Sequence, residues 1–165
     1  LLRCEFFSCK NPGGDTDFVF LVGDSQAQTI EGQYEVTDAI LEYAAKLGVK
    51  TIITIGGFRQ EAEKAPQVVA VSTQSELLGR AVSAKAVASP AGNPIVGTAG
   101  LLLGLAKFKG IDALCLLGET RGYLPDPVAA RSIIEVLEGM FGLKVDYYEP
   151  QRWFSCGSMV STQRS

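Results

Sequence analysis

Short unbroken apolar runs and helically spaced apolar residues take turns along this chain of 165 residues. Residues 3–9 read as a strand, closed by the dense turn signal Asn11-Pro12-Gly13-Gly14. Residues 17–22 form a continuous apolar run, the pattern of a strand buried on both faces in a parallel sheet. Val36, Ile40, Leu41, Ala44 and Leu47 then recur at helical spacing and predict a helix over 34–47, with Gly48 at its end. The β-branched stretch 51–55 predicts a strand, 68–72 another, and 75–82 a short helix. Pro90, Gly92 and Pro94 interrupt residues 84–94, where a hairpin or loop is expected. A small-residue helix is predicted over 97–108 and a buried strand over 111–117. Pro125-Asp126-Pro127 opens a helix that runs to about Phe141, because proline suits a first turn whose N–H would be unpaired. Residues 144–147 predict a last short strand.

The repeated strand–helix–strand order argues a single α/β domain over residues 1–149, with a mainly parallel sheet covered by helices. Residues 150–165 carry no periodic pattern and read as an irregular tail. The chain does not begin with Met and shows no charged-then-apolar leader, so its start reads as trimmed.

Composition removes several kinds of chemistry. Apolar residues make up 47% and charged residues 20%, ordinary values for a folded globule. A net charge of −3, from 15 basic and 18 acidic residues, argues against a nucleic-acid partner, which a basic face would attract. No run approaches the roughly 18 apolar residues of a membrane span, so no membrane partner is expected. Histidine is absent, which excludes Ser-His and Cys-His catalysis. Cys4, Cys9, Cys115 and Cys156 include no CxxC pair, so neither a Cys/His zinc site nor a disulfide framework is supported. Cys115, inside an apolar run, reads as a buried small hydrophobe.

The remaining polar chemistry gathers on four glycine-rich stretches that follow strands or open helices. They are Gly23-Asp24-Ser25-Gln26, Gly56-Gly57-Phe58-Arg59, Gly97-Thr98-Ala99-Gly100 and Gly118-Glu119-Thr120-Arg121. Ligands of open α/β sheets bind beyond the carboxyl ends of the strands, where such loops sit. The candidate ligand-binding residues are therefore Asp24, Ser25, Gly57, Arg59, Thr98, Glu119 and Thr120. Arginines there would bond anions, carboxylates would accept hydroxyl groups, and the N–H groups near Gly97 would hold an anion. The plainer reading competes at each position: glycine serves any strand-to-helix turn, and Asp24 and Glu119 would equally cap a helix or pair with an arginine. No Walker loop and no dinucleotide fingerprint occurs, and no cofactor or metal is expected.

Three stretches resemble the PAC2 family, the proteasome-assembly-chaperone type of protein common in archaea. They are Phe18-Val-Phe-Leu-Val-Gly-Asp-Ser-Gln-Ala-Gln with the following Gly32-Gln-Tyr-Glu, Leu47-Gly-Val-Lys-Thr-Ile-Ile-Thr-Ile-Gly-Gly-Phe58, and Leu116-Leu-Gly-Glu-Thr-Arg-Gly-Tyr-Leu-Pro-Asp-Pro-Val-Ala-Ala130. The resemblance implies a three-layer α/β/α sandwich similar to the nucleoside phosphorylase-like fold. It implies a non-enzymatic, cytoplasmic, homo-oligomeric protein that contacts proteasome α-subunits. The alternative is a nucleoside- or phosphate-binding protein, or an enzyme, using the strand-end loops. Family members carry a longer stretch before the Gly23-Asp24 strand. Assembly-active members also end in a hydrophobic-Tyr-X tail, which the ending Thr162-Gln163-Arg164-Ser165 lacks.

Overall fold

The computed structural model describes residues 4–12, 14–59, 66–90, 94–122 and 124–146. In chain order the elements are β1 (Cys4–Cys9), β2 (Phe18–Gly23), α1 (Ile30–Lys46), β3 (Thr51–Arg59), β4 (Val68–Ser72), α2 (Ser75–Ser83), β5 (Val87–Ala88), α3 (Gly97–Leu105), β6 (Asp112–Thr120) and α4 (Pro127–Phe141). A 3-10 turn over Ala106–Lys109 follows α3.

β6 is the organising strand, because its side chains feed two cores at once. Successive strand residues point to opposite faces. Leu114 and Leu116 join Val68, Ala70, Leu77, Ile133 and Val136, which come from β4, α2 and α4. Ala113 joins Leu41, Ala44, Leu102 and Ile111, drawn from α1, α3 and the lead-in to β6. Ala113, Leu114, Cys115 and Leu116 are all fully buried.

The main sheet runs β3-β6-β4-β5 and is mixed rather than mainly parallel. β3 pairs parallel with β6 and β5 parallel with β4, but β4 runs antiparallel to β6. Apolar runs announce burial without announcing direction, which is why the sequence left β4's orientation open. β1 and β2 form a separate two-stranded antiparallel sheet. β2 was expected to lie buried within a parallel sheet. It instead forms one arm of a hairpin, with Val19, Phe20 and Val22 between 43% and 57% exposed.

The helices begin and end where capping dictates. α1 starts four residues before its expected position, because the Thr29 hydroxyl accepts the Gly32 N–H at 3.1 Å. Asp126 caps α4, and Gly142, at φ 65°, ends it in the left-handed region that glycine tolerates. Within residues 84–94, Val87 and Ala88 pair with β4, and the Ser89 N–H donates to the Ala70 carbonyl at 2.9 Å. The expected strand over 144–147 is not formed at Lys144–Asp146. The Val145 N–H goes to the Glu138 carboxylate at 2.9 Å instead of to a neighbouring strand, and Tyr147 lies outside the described residues. The tail 150–165 also lies outside them. Cys9 is disulfide-bonded, which the irregular spacing of the four cysteines did not reveal. No helix among the described residues is long and apolar enough to cross a membrane.

Candidate functional site

Residues 97–100 are the first turn of α3, and two more of the four glycine stretches are strand rather than loop. Gly57 pairs with Gly118, Phe58 with Glu119 and Arg59 with Thr120, so β3 and β6 stay in ladder through the residues expected to turn away. A parallel partner supplies the backbone bonds there, and neither Gly57 nor Gly118 has a positive φ. Their lack of a side chain serves approach. A methyl group at Gly118 would stand 3.0 Å from Ile133 Cδ1 and 3.3 Å from the Ala129 carbonyl, so glycine lets α4 lie close on β6. At Gly57 a methyl group would stand 3.0 Å from Thr120 Cγ2.

Beside these glycines and the start of α4 lies a groove of about 530 Å³. Ile55, Gly57, Thr120, Leu124, Asp126 and Ile134 are among its lining residues. Its polar wall is one connected set of bonds. The Thr120 hydroxyl donates to Asp126 Oδ2 at 3.0 Å and accepts the Gly122 N–H at 3.2 Å. Asp126 Oδ1 accepts the N–H groups of Val128 at 3.1 Å and Ala129 at 3.0 Å. The Ala129 N–H, then the Thr120 hydroxyl, hold the Asp126 carboxyl below the usual carboxylate range, with a smaller contribution from the Arg121 charge. Asp126 is the groove residue that sequence reasoning missed as a site member. Its signal was present, since an aspartate directly before Pro127 is a helix cap aimed at the same end of the sheet.

The seven candidates fall in separate places. Gly57 and Thr120 line the groove. Arg59 ends β3 and is exposed, with its Cγ within 3.7 Å of where a Gly122 methyl group would sit. Glu119 is buried and committed elsewhere. Its Oε2 accepts the Gln67 N–H at 2.9 Å, and its own N–H donates to the Gln67 carbonyl at 2.9 Å, which fastens the end of β6 to the lead-in of β4. Asp24 and Ser25 are exposed in the loop after β2. That loop reaches α3 through Gln26, whose Oε1 accepts the Thr98 N–H at 3.4 Å. Gln26 thus meets a donor at the helix start where an anion was expected. The Thr98 hydroxyl is buried, with no hydrogen-bond partner among the described residues. No group of three or more metal-ligating side chains occurs among the described residues.

Comparison with known proteins places this geometry. An uncharacterized protein of Methanocaldococcus jannaschii is 30% identical over 149 residues, covering 90% of this chain and 57% of the relative. PbaB of Pyrococcus furiosus, an archaeal proteasome activator, is 32% identical and superposes with a TM-score of 0.80 over 88% of this chain and 64% of PbaB. PbaA of the same organism, an archaeal homolog of proteasome-assembly chaperone, is 27% identical with a TM-score of 0.74, over 87% of this chain and 57% of PbaA. The chain spans less than two thirds of the length of each. The PAC2 family matches residues 3–150, which takes in every residue the structure describes, and the chain belongs to that family.

Proposed function

We propose that this chain works through protein contacts, as a non-enzymatic, proteasome-assembly-chaperone-like scaffold. The observation that carries this reading is the engagement of its candidate chemistry within the chain. Glu119 is held by Gln67, Thr120 by Asp126, and the Thr98 N–H by Gln26. A carboxylate already accepting a backbone N–H while buried is poorly placed to act as a general base. The groove's most exposed apolar residues face outward. Leu124 is 82% exposed and Ile55 55%, and Val128 on the adjoining first turn of α4 is 59% exposed, a contact face rather than a reaction chamber. The likeness to PbaA and PbaB supports a proteasome-related partner. In this reading the partner is the proteasome α-subunits, the place is the cytoplasm, and the working form is a homo-oligomer. The architecture in this reading is a three-layer α/β/α sandwich of the nucleoside phosphorylase kind. Support for it comes from the two cores fed by alternate residues of β6.

The test is native mass spectrometry of the chain mixed with proteasome α-subunits from the same source. A complex is expected, and Leu124→Asp with Val128→Asp should weaken it at least tenfold. No complex at tens of micromolar subunit would sink the reading.

A second reading, a nucleoside- or phosphate-binding site, has one specific observation in its favour, the buried and unpartnered Thr98 hydroxyl. It would place Asp24, Ser25 and Thr98 around one ligand, with Gly57, Arg59, Glu119 and Thr120 as the more distant candidates. A rise in Tm with inorganic phosphate or adenosine, abolished by Thr98→Val, is its expected outcome. An unchanged Tm at millimolar concentrations of both rejects it.

A further inference from the structure

The last turn of a helix leaves carbonyls that have no partner within the helix. In α4 the Gly142 N–H returns to the Glu138 carbonyl at 2.8 Å. Two further carbonyls of that turn are met from outside, by different elements. Arg80 of α2 donates to the Met140 carbonyl at 2.8 Å and holds its guanidinium 5.0 Å from the centre of the Phe141 ring. Asn11, in the turn after β1, donates from its side-chain amide to the Phe141 carbonyl at 3.2 Å. Phe18, which opens β2, meets the same ring edge-on at 5.4 Å. α2 thus fixes the end of α4 from one side, and the β1–β2 hairpin grips it from another.

The connection between β1 and β2 is shaped for that grip. The Asn11 N–H donates to Asp17 Oδ1 at 3.4 Å and its carbonyl accepts the Gly14 N–H at 3.2 Å, so both its backbone groups are engaged while its side chain reaches α4. A methyl group at Gly14 would stand 2.6 Å from Asn11 Nδ2 and 2.8 Å from the Phe141 carbonyl oxygen, so glycine is what lets the two meet. Asn11 is 8% exposed, and no residue of β1 or β2 is as buried. No residue of either strand belongs to either hydrophobic core. The best-buried group of the hairpin region is therefore a polar side chain spent on holding α4.

We propose that the β1–β2 hairpin is a strap that opens as one unit, with the Asn11 amide on α4 as its latch, while the rest of the described fold stays closed. A segment that contributes nothing to the cores opens at a lower free-energy cost than they do. The hinge falls between Gly23 and Gln26, because the residues that follow are tied down. Gln26 Oε1 accepts the Thr98 N–H at 3.4 Å, and the Gln33 side chain donates to the Ala27 carbonyl at 3.2 Å. Opening gives up the latch, the Phe18–Phe141 contact and the pairing of Phe6 with Tyr43, whose ring centres are 4.6 Å apart. It also parts Phe6 and Leu21 from Ile40 and Ala44 of α1 and Leu102 of α3, which line one groove with them. Release of the strap is thus exposure of apolar surface.

The experiment is native-state amide hydrogen exchange of the full chain, followed by NMR. Cys9 is disulfide-bonded two residues before the latch, so the protein is held in dithiothreitol, which reduces that bond to thiols and leaves the noncovalent contacts to act alone. The ladder amides of β1 and β2 are expected to exchange together, at least a hundredfold faster than those of Leu114 and Leu116 in β6. Two variants separate a strap from a hairpin that opens only with the whole molecule. Ile133→Val removes one methylene from the core, and should speed exchange at Leu114 and Leu116 severalfold. It should leave the hairpin amides unchanged, because they open while the core is still closed. Asn11→Ala instead raises the free energy of the latched state, from which every opening starts. It should speed hairpin and β6 amides by one common factor, about fivefold or more. Hairpin amides as slow as those of β6, or sped by Ile133→Val, overturn the proposal whether or not the Asn11 variant folds. Hairpin exchange left unchanged by Asn11→Ala would take the latch away from that residue and overturn it too.

Discussion

β2 and β6 carry nearly the same sequence signal and have opposite fates. Phe18-Val-Phe-Leu-Val and Ala113-Leu-Cys-Leu-Leu are both unbroken apolar runs. β6 has a strand on each edge and a core on each face, and its central residues are fully buried. Among the described residues β2 has one strand neighbour, and Val19, Phe20 and Val22 stand about half exposed. An apolar run states what a strand needs, and the rest of the chain decides whether it is met.

The comparison is sharpest in the thiols. Cys4 sits exposed on β1 beside β2, and Cys115 is buried in β6, where burial pushes its thiol above the usual range. In native protein Cys4 should react with a thiol reagent within seconds to minutes. Cys115 must wait for the core to open, so its labelling should be slower by roughly a thousandfold or more. Mass spectrometry after timed quenching would separate the two, and equal rates would break the contrast.

Side-chain truncation gives the next largest difference. Leu114→Ala empties a fully enclosed site and should cost about 3 kcal/mol in urea unfolding. Leu21→Ala, on a half-buried strand, should cost about 1 kcal/mol. A cost at Leu21 as large as that at Leu114 would mean that β2 is already covered in solution. Gly118→Val tests the same closeness from the other side. Its added carbons collide with Ile133 and the Ala129 carbonyl, and a loss of about 2 kcal/mol is expected from overpacking.

How much of this was readable beforehand follows from the range of each cause. Helix α4, its Pro-Asp-Pro start and strand β4 depend on residues within a turn of one another, and the sequence located them. The orientation of β4 and the isolation of the β1–β2 hairpin depend on partners distant in sequence, and no local pattern encodes them. The site fared similarly. Gly57 and Thr120 do line one groove, because both lie at strand ends, the position from which they were chosen as candidates. Glu119 was placed beside them by the same rule. Strand alternation, and a backbone partner 52 residues away, take it elsewhere. The glycines of β3 and β6 were read as turns because glycine permits turns, although packing against Ile133 and Thr120 explains them better.

The smallest expected effect contrasts two carboxylates, the half-buried Asp126 and the exposed Asp17, one serving each region. Asp126 caps α4, which covers β6, and Asp17 pairs with Lys10 at the base of the hairpin. Both carboxyls are held below their usual range, Asp126 chiefly by the Ala129 N–H and Asp17 chiefly by the Lys10 ammonium. A carboxyl depressed by folding adds stability above its unfolded pKa of about 4, and that stability disappears as pH falls through the lower folded value. Asp126→Ala should therefore lower Tm by a few degrees at pH 7, with the gap from the parent protein narrowing below about pH 4. Asp17→Ala should show the same direction with a smaller amplitude, because an exposed ion pair is screened by water and salt. The two part company in sodium chloride. At about 1 M salt the Asp17 effect should vanish, while the Asp126 effect should persist, since its hydrogen bonds to the helix N–H groups do not depend on a mobile partner charge. Calorimetric scans at pH 3 and pH 7, with and without salt, decide it. Loss of both effects in salt would mean that Asp126 acts through the nearby Arg121 charge rather than as a cap.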